Sequence, residues 1–237
     1  MKMKKSIKEI RADSREIMLG NLLLPVLVTL TYYVLSNIVS FCVSISLIGN
    51  GIWALIFYVG LNIVMDTLFS ILDLGKANFY LKYSLSKDYS FADIWHGFKG
   101  QVDKTLLVGF IMALISHICF MPYVLYVNLF VDKLSRMALL KVGVIYVACA
   151  FLFLIISVFF TQAYYILCDI PKAGPLQALR LSARLIGKNF WRYIGLQISL
   201  IPVRLLGVLS FGIAFLWISP YIETCKALFY SDMVKSR

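Results

Sequence analysis

Three ionisable residues, Asp66, His117 and Glu223, lie deep inside long apolar stretches of the chain. A charge at the centre of a membrane-length helix costs about 2.5 to 3.5 kcal/mol on insertion scales, so such a residue must face a partner, a bundle interior or water. An Asp–His–Glu set in that setting has the chemistry to pass a proton or hold a cation on an intramembrane path. The same residues could instead pair helices. Glu223 has Lys226 three positions on, at helical contact spacing, whereas Asp66 has no basic residue within a turn. Asn37, Asn62, Asn128, Gln162 and Gln197 could add interior hydrogen bonds. A second set has different chemistry. Arg180, Arg184 and Lys188 recur every four residues beside Leu176, Leu179, Ala183 and Ile186. On a helix this makes a basic stripe next to an apolar one, which suits a helix lying at the membrane interface with its cations at phosphate depth. Arginine can hold a phosphate through two parallel hydrogen bonds, so anionic phospholipids are the expected partners.

Material for other chemistry is sparse. There is no P-loop, HExxH or GxSxG pattern, and His96 and His117 are the two histidines of the chain. Cys42, Cys119, Cys149, Cys168 and Cys225 form no CxxC pair and lie in or beside apolar runs, so they read as small buried residues. The expectation is a protein with no catalytic residues, no metal and no cofactor.

The elements that must position these residues are membrane helices. The chain is 61% hydrophobic and 15% charged, with a mean hydropathy of +0.84, whereas soluble domains are about a quarter charged. The formal net charge of +11 would suggest nucleic acid in a soluble protein. Here it is what cytoplasmic loops of a membrane protein accumulate. Six spans are expected in one all-α membrane domain. An amphipathic helix occupies residues 1–21, with Ile7, Ile10 and Ile17 on one face. A first hairpin covers 22–74 and a cytoplasmic connection 75–105. That connection holds a short interfacial helix opened by Ser90 and Asp93 and anchored by Trp95. A second hairpin covers 106–167, its two spans joined by a short connection at Val131 to Lys141, the basic amphipathic helix 168–190, a third hairpin 191–230 and a tail 231–237. Tight turns are expected at Gly49-Asn50-Gly51 and at Ser210–Gly212. The first apolar run, Leu22 to Ile48, is too long for a cleavable signal. Basic residues cluster on the side of both termini, while only Lys133, Arg136, Lys141 and Arg204 fall on the other, so both ends are expected in the cytoplasm. The hairpins begin about 85 residues apart, each after an amphipathic segment, which predicts a three-fold repeat of helix plus hairpin. Within it, IKEIRADSREI aligns with LQALRLSARLI, Arg11 with Arg180 and Arg15 with Arg184.

The C-terminal stretch carries Pro171, Ala178, Ser182, Gly187, Trp191, Arg192, Leu209, Gly212, Ile213, Trp217, Pro220, Tyr221, Ala227, Phe229 and Tyr230. With Gly75, Phe79, Asp93, Gly97 and Phe98 upstream, it resembles the bacterial six-span membrane family known as domain of unknown function 975. Glu223 departs from that pattern, where a neutral amide is usual. The resemblance implies a multipass protein of the cell membrane, chiefly of Gram-positive-type bacteria, and brings no catalytic residue with it. Two functions remain open. The first is a non-enzymatic membrane protein binding lipids or partner proteins through its basic cytoplasmic face. The second is a small transporter or lipid-moving protein using the polar set around Asp66, His117 and Glu223.

Overall fold

Among the helices of twenty residues or more, the one with the highest share of charged residues, at the C-terminal end of the described chain, is the most enclosed by protein. The computed structural model describes residues 4–45, 52–130 and 136–235, and every regular element among them is helical. They are α1 (Ile7–Gly20), α2 (Leu23–Ile45), α3 (Ile52–Ser84), a 3₁₀ helix (Phe91–Phe98), α4 (Val102–Phe130), α5 (Arg136–Phe160), α6 (Ala163–Asp169), α7 (Pro175–Lys188), α8 (Phe190–Leu209) and α9 (Phe215–Lys235). Stretches in α2, α3, α4, the α5–α6 segment and α8 are long and apolar enough to cross a membrane. α9 is not among them, because Glu223, Lys226, Asp232 and Lys235 dilute its hydropathy. It packs instead against α1, α2, α3 and α8, burying Tyr221, Ile222, Cys225, Ala227, Phe229 and Tyr230. α5 is the reverse. Its stretch has the highest mean hydropathy, 2.8, yet Val144, Val147, Phe151 and Leu154 are all exposed. Apolar surface faces outward where lipid can solvate it, and polar groups turn inward where protein can.

Three boundaries differ from the sequence expectation. α3 does not stop at residue 74 but runs ten residues further, to Ser84. Its extension carries Phe79, Tyr80 and Tyr83, all buried against one another. The Tyr83 hydroxyl reaches the Ile17 and Asn21 carbonyls at 3.2 and 2.9 Å, closing the C-terminal end of α1. The expected fourth span is broken at Thr161-Gln162 into α5 and α6. Ser182 of α7 heals the break: its hydroxyl donates to the Phe159 carbonyl at 2.7 Å and accepts from the Gln162 N–H at 3.1 Å. Residues 136–141, expected in a loop, form the first turns of α5. The expected turn at Gly49-Asn50-Gly51 lies outside the described residues, as do Asp132 and Lys133. The turn at Ser210–Gly212 is present, with Phe211 and Gly212 at φ 53° and 89°.

The three short helices do not simply float on a membrane surface. α1 docks on α9, the 3₁₀ helix on α3, and α7 on α6. In α1, Ile10 and Ser14 are fully buried, and the Ser14 hydroxyl donates to the Ile10 carbonyl at 2.8 Å. The 3₁₀ helix buries Ile94 against α3 and leaves Trp95 and Phe98 outward. The Asp93 carboxylate ties it down, accepting from Lys82 Nζ at 2.6 Å, Asn78 Nδ2 at 3.3 Å and the Ser90 N–H at 2.8 Å. Pro175 opens α7 as expected. The buried stripe of α7 is shifted from the expected one, however. Ala178, Leu179, Ser182, Leu185 and Ile186 are buried, and Leu176 is 63% exposed. Small Ala178 and Ser182 let α7 approach the α5–α6 break, which a stripe centred on Leu176 would not. Burial also moves the alignment of α1 with α7 by one residue: Ile10 and Ser14 correspond to Ala178 and Ser182, not to their neighbours.

Candidate functional site

The polar set expected inside the membrane divides in two. Asp66 sits on an exposed face of α3 and His117 is half-buried on α4. The two are near enough for their charges to interact, and His117 Nδ1 lies 2.9 Å from the Ala113 carbonyl. Glu223 belongs to another group. Its Oε1 is 3.0 Å from Lys226 Nζ and 3.9 Å from Lys76 Nζ, and Lys76 is 3.9 Å from Asp73. Tyr32 of α2 completes the group, donating its hydroxyl to Asp73 at 2.6 Å and placing its ring 3.9 Å under the Lys76 ammonium. Two carboxylates and two ammonium groups thus compensate one another where α2, α3 and α9 meet. Arg204 of α8, bonded to Gln197 at 2.7 Å, adds a further positive charge within reach of Glu223 and Lys226. The four charged side chains keep between 19% and 29% of their surface accessible, so they border open space between the helices. Among the described residues Asn37, Asn62 and Asn128 do not bridge helices. Each returns its amide to the carbonyl one turn back, at 2.8 Å. Gln162 is buried, and its Oε1 has no partner among the described residues.

Asp73, Lys76, Lys226 and Tyr32 were not among the expected site residues. Lys76 counts as a loop residue only if α3 ends at 74. A signal for it was present in the chain. ILDLGKANFY of α3 and YIETCKALFY of α9 share an acid, a Lys three on, then Ala, any residue, Phe and Tyr. The matching positions are buried alike: Ala77 and Ala227, Phe79 and Phe229, Tyr80 and Tyr230. Gln162-Ala163-Tyr164-Tyr165, opening α6, keeps the Ala and an aromatic, also buried, without the charges.

The basic face is laid out differently. Arg180, Arg184 and Lys188 are all exposed on α7, and among the described residues none has a hydrogen-bond or ion-pair partner. Nearby cations are paired. Arg192 Nη2 donates to Asp232 and to the Lys5 carbonyl, fastening α8, α9 and the segment before α1 together. Lys5 bonds Asp13 at 2.6 Å, which holds its ammonium above the usual lysine range.

Over residues 1–237 the chain matches the family model described as Protein of unknown function (DUF975). It belongs to the DUF975 family. No curated protein and no solved structure matches it significantly. The residues that carried the DUF975 resemblance have distinct physical roles here. Asp93 ties the 3₁₀ helix to α3, and Gly75 and Gly97 let the two backbones touch. Ser182 repairs the α5–α6 break. Ala227, Phe229 and Tyr230 fill the centre, and Arg192 locks both chain ends to α8. None of these arrangements places a nucleophile beside a general base, and among the described residues no group of His, Cys, Asp and Glu has metal-binding geometry.

Proposed function

We propose that this DUF975 protein is a non-enzymatic protein of the bacterial cell membrane that gathers anionic phospholipid at its cytoplasmic face. The observation that carries this reading is the α7 stripe. Arg180, Arg184 and Lys188 are exposed without partners among the described residues, while the apolar side of the same helix is consumed by docking onto α5 and α6. A helix held by protein on one side offers its cations in a fixed row. Each basic residue near an anionic leaflet contributes about 1 kcal/mol, so three together enrich anionic lipid about a hundredfold. The triple variant Arg180→Gln, Arg184→Gln, Lys188→Gln is expected to fold and to lose co-purifying phosphatidylglycerol or cardiolipin. Lipid mass spectrometry at matched detergent and salt reads this directly, and an unchanged anionic lipid content would leave the stripe with no lipid role.

In this reading the chain crosses six times, with α9 as the sixth span and both termini in the cytoplasm. What supports the sixth crossing is its length and the polar partners that enclose its charges. Phe211, 98% exposed at the α8–α9 turn, and Lys87, exposed after α3, should then face opposite sides. In a background without native cysteines, Phe211→Cys is expected to react only from outside and Lys87→Cys only from inside. Labelling of both from one side would rule out this topology. The three-fold repeat fits the same picture. Each short helix packs on the return helix of the preceding unit, and α1 closes the ring on α9. The shared motifs of α3 and α9 supply matching centres.

A second reading is a transporter or lipid-moving protein. The accessible charges around Glu223 and the Asp66–His117 approach support it. The Glu223 variant discussed below separates the two.

A further inference from the structure

A crevice of about 580 Å³ opens where the segment before α1 crosses the α7–α8 junction. Among the described residues three cations line it, Lys4, Lys188 and Arg192, and no carboxylate does. They come from two distant stretches of chain, Lys4 before α1 and the α7–α8 junction with Lys188 and Arg192, so their convergence is a product of the fold. Lys4 is steadied by a 2.8 Å bond from its Nζ to Asn189 Oδ1. Arg192 is fixed from behind by Asp232 and the Lys5 carbonyl. Its Nη1 is buried without a partner among the described residues, but 18% of the side chain stays accessible and borders the crevice.

One wall is apolar. The Phe159 and Phe190 rings stack 5.7 Å apart, 15° from parallel. Trp191 stands beside them, 83% exposed, where α8 begins its apolar stretch. An exposed Trp at the end of a membrane-length helix marks headgroup depth. Cations facing the cytoplasm, an aromatic wall facing the hydrocarbon and an interfacial Trp together fit an amphiphile with a negative head.

We propose that this crevice binds the phosphodiester headgroup of one anionic phospholipid. Lys4, Lys188 and Arg192 take the phosphate oxygens, and the acyl chains leave along Phe159 and Trp191. The proposal rests on the lipid-binding reading above and narrows it from a diffuse row of charges to one defined site.

Gly187 provides the test. It lines the crevice, and a Cβ added there would meet nothing within 4 Å. Gly187→Leu therefore projects into open space, improves helix propensity and leaves every cation in place. The full chain in detergent is titrated with phosphatidylglycerol, and bound lipid is counted by native mass spectrometry. Wild type is expected to fill one tight site that Gly187→Leu fills at least tenfold more weakly, with an unchanged melting temperature. Lys4→Gln is expected to weaken the same site. Arg180→Gln with Arg184→Gln should thin the looser lipids and spare the tight one. Equal tight binding by wild type and Gly187→Leu would overturn the crevice. If the Arg180 and Arg184 changes nonetheless stripped lipid, the wider lipid reading would survive that failure. Millimolar inorganic phosphate is expected to leave the lipid in place. Displacement by inorganic phosphate at concentrations similar to those of the lipid would assign the crevice to free phosphate and overturn the lipid proposal.

Discussion

Gly75→Ala should leave little folded protein. A Cβ at Gly75 would run into the Ile94 carbonyl and main chain, and the reciprocal Cβ at Gly97 would run into the Ile71 carbonyl. The two helices interlock through backbone on both sides, so no flexible side chain can swing away to make room. Forcing atoms into a packed contact costs about 1 to 3 kcal/mol where side chains can yield, and more where backbone must move. The opposing gain from replacing a helical Gly with Ala is about 1 kcal/mol. The clash therefore decides the sign. The expected net loss is about 3 kcal/mol or more, enough to abolish most of a typical membrane domain's margin. Gly60→Ala on the same helix is the control, since its Cβ meets nothing within 4 Å. It should melt at or slightly above the wild-type temperature. Thermal unfolding in detergent, with yield of monodisperse protein, reads both. A Gly75→Ala protein that melts like wild type would mean that α3 and the 3₁₀ helix are not in backbone contact.

Glu223→Gln should be the next most damaging single change. It takes away the negative charge 3.0 Å from Lys226 and leaves Lys76 with the Asp73 charge alone, 3.9 Å away. Breaking a fully buried pair from one side costs about 3 to 5 kcal/mol. Here the side chains keep about a fifth of their surface accessible, so the expected loss is smaller, about 2 to 3 kcal/mol. Adding Lys226→Gln removes the stranded ammonium. The double variant should be more stable than the sum of the two single changes, by about 1 to 2 kcal/mol in a double-mutant cycle. This result would mark Glu223 and Lys226 as a coupled ion pair within α9, beside the Asp73–Lys76 pair of α3. A Glu223→Gln protein of wild-type stability that had lost an ion-dependent flux in liposomes would instead favour the transport reading.

Much of the site was written in plain residue types, and the misreadings have specific causes. The α7 stripe of Arg180, Arg184 and Lys188 followed from four-residue spacing, because an exposed charge needs nothing from the rest of the fold to stay exposed. Ending α3 at 74 followed from charge: Asp73 and Lys76 look like the edge of a membrane. The aromatic run through Phe79, Tyr80 and Tyr83 was the counter-signal. It weighs less than charge on a hydropathy scale, although burial of three large rings outweighs one compensated ion pair. Pairing Glu223 with Lys226 was readable at i,i+3. Whether Glu223 meets Asp66 and His117 was not readable, because depth along a helix says nothing about which face a residue takes.

Composition, hydropathy and helical spacing alone determined that the chain is all-α, with helices long and apolar enough to cross a membrane and a basic stripe on α7, while the motif residues from Gly75 to Tyr230 carried the resemblance to the DUF975 family. Those properties depend on local physics: transfer of side chains from water, and the 3.6-residue period that sorts them into stripes. Tertiary structure alone decided which helix would be central, where the α5–α6 segment would break, and which cations would converge. α9 can carry four charged residues only because α1, α2, α3 and α8 surround it. The Thr161-Gln162 break is stable only because Ser182 supplies the missing hydrogen-bond partners. Lys4 and Arg192 share one crevice only because α1 folds back onto α9. Each depends on groups far apart in sequence satisfying one another's charge, hydrogen bonds or volume, and local spacing does not encode such pairings.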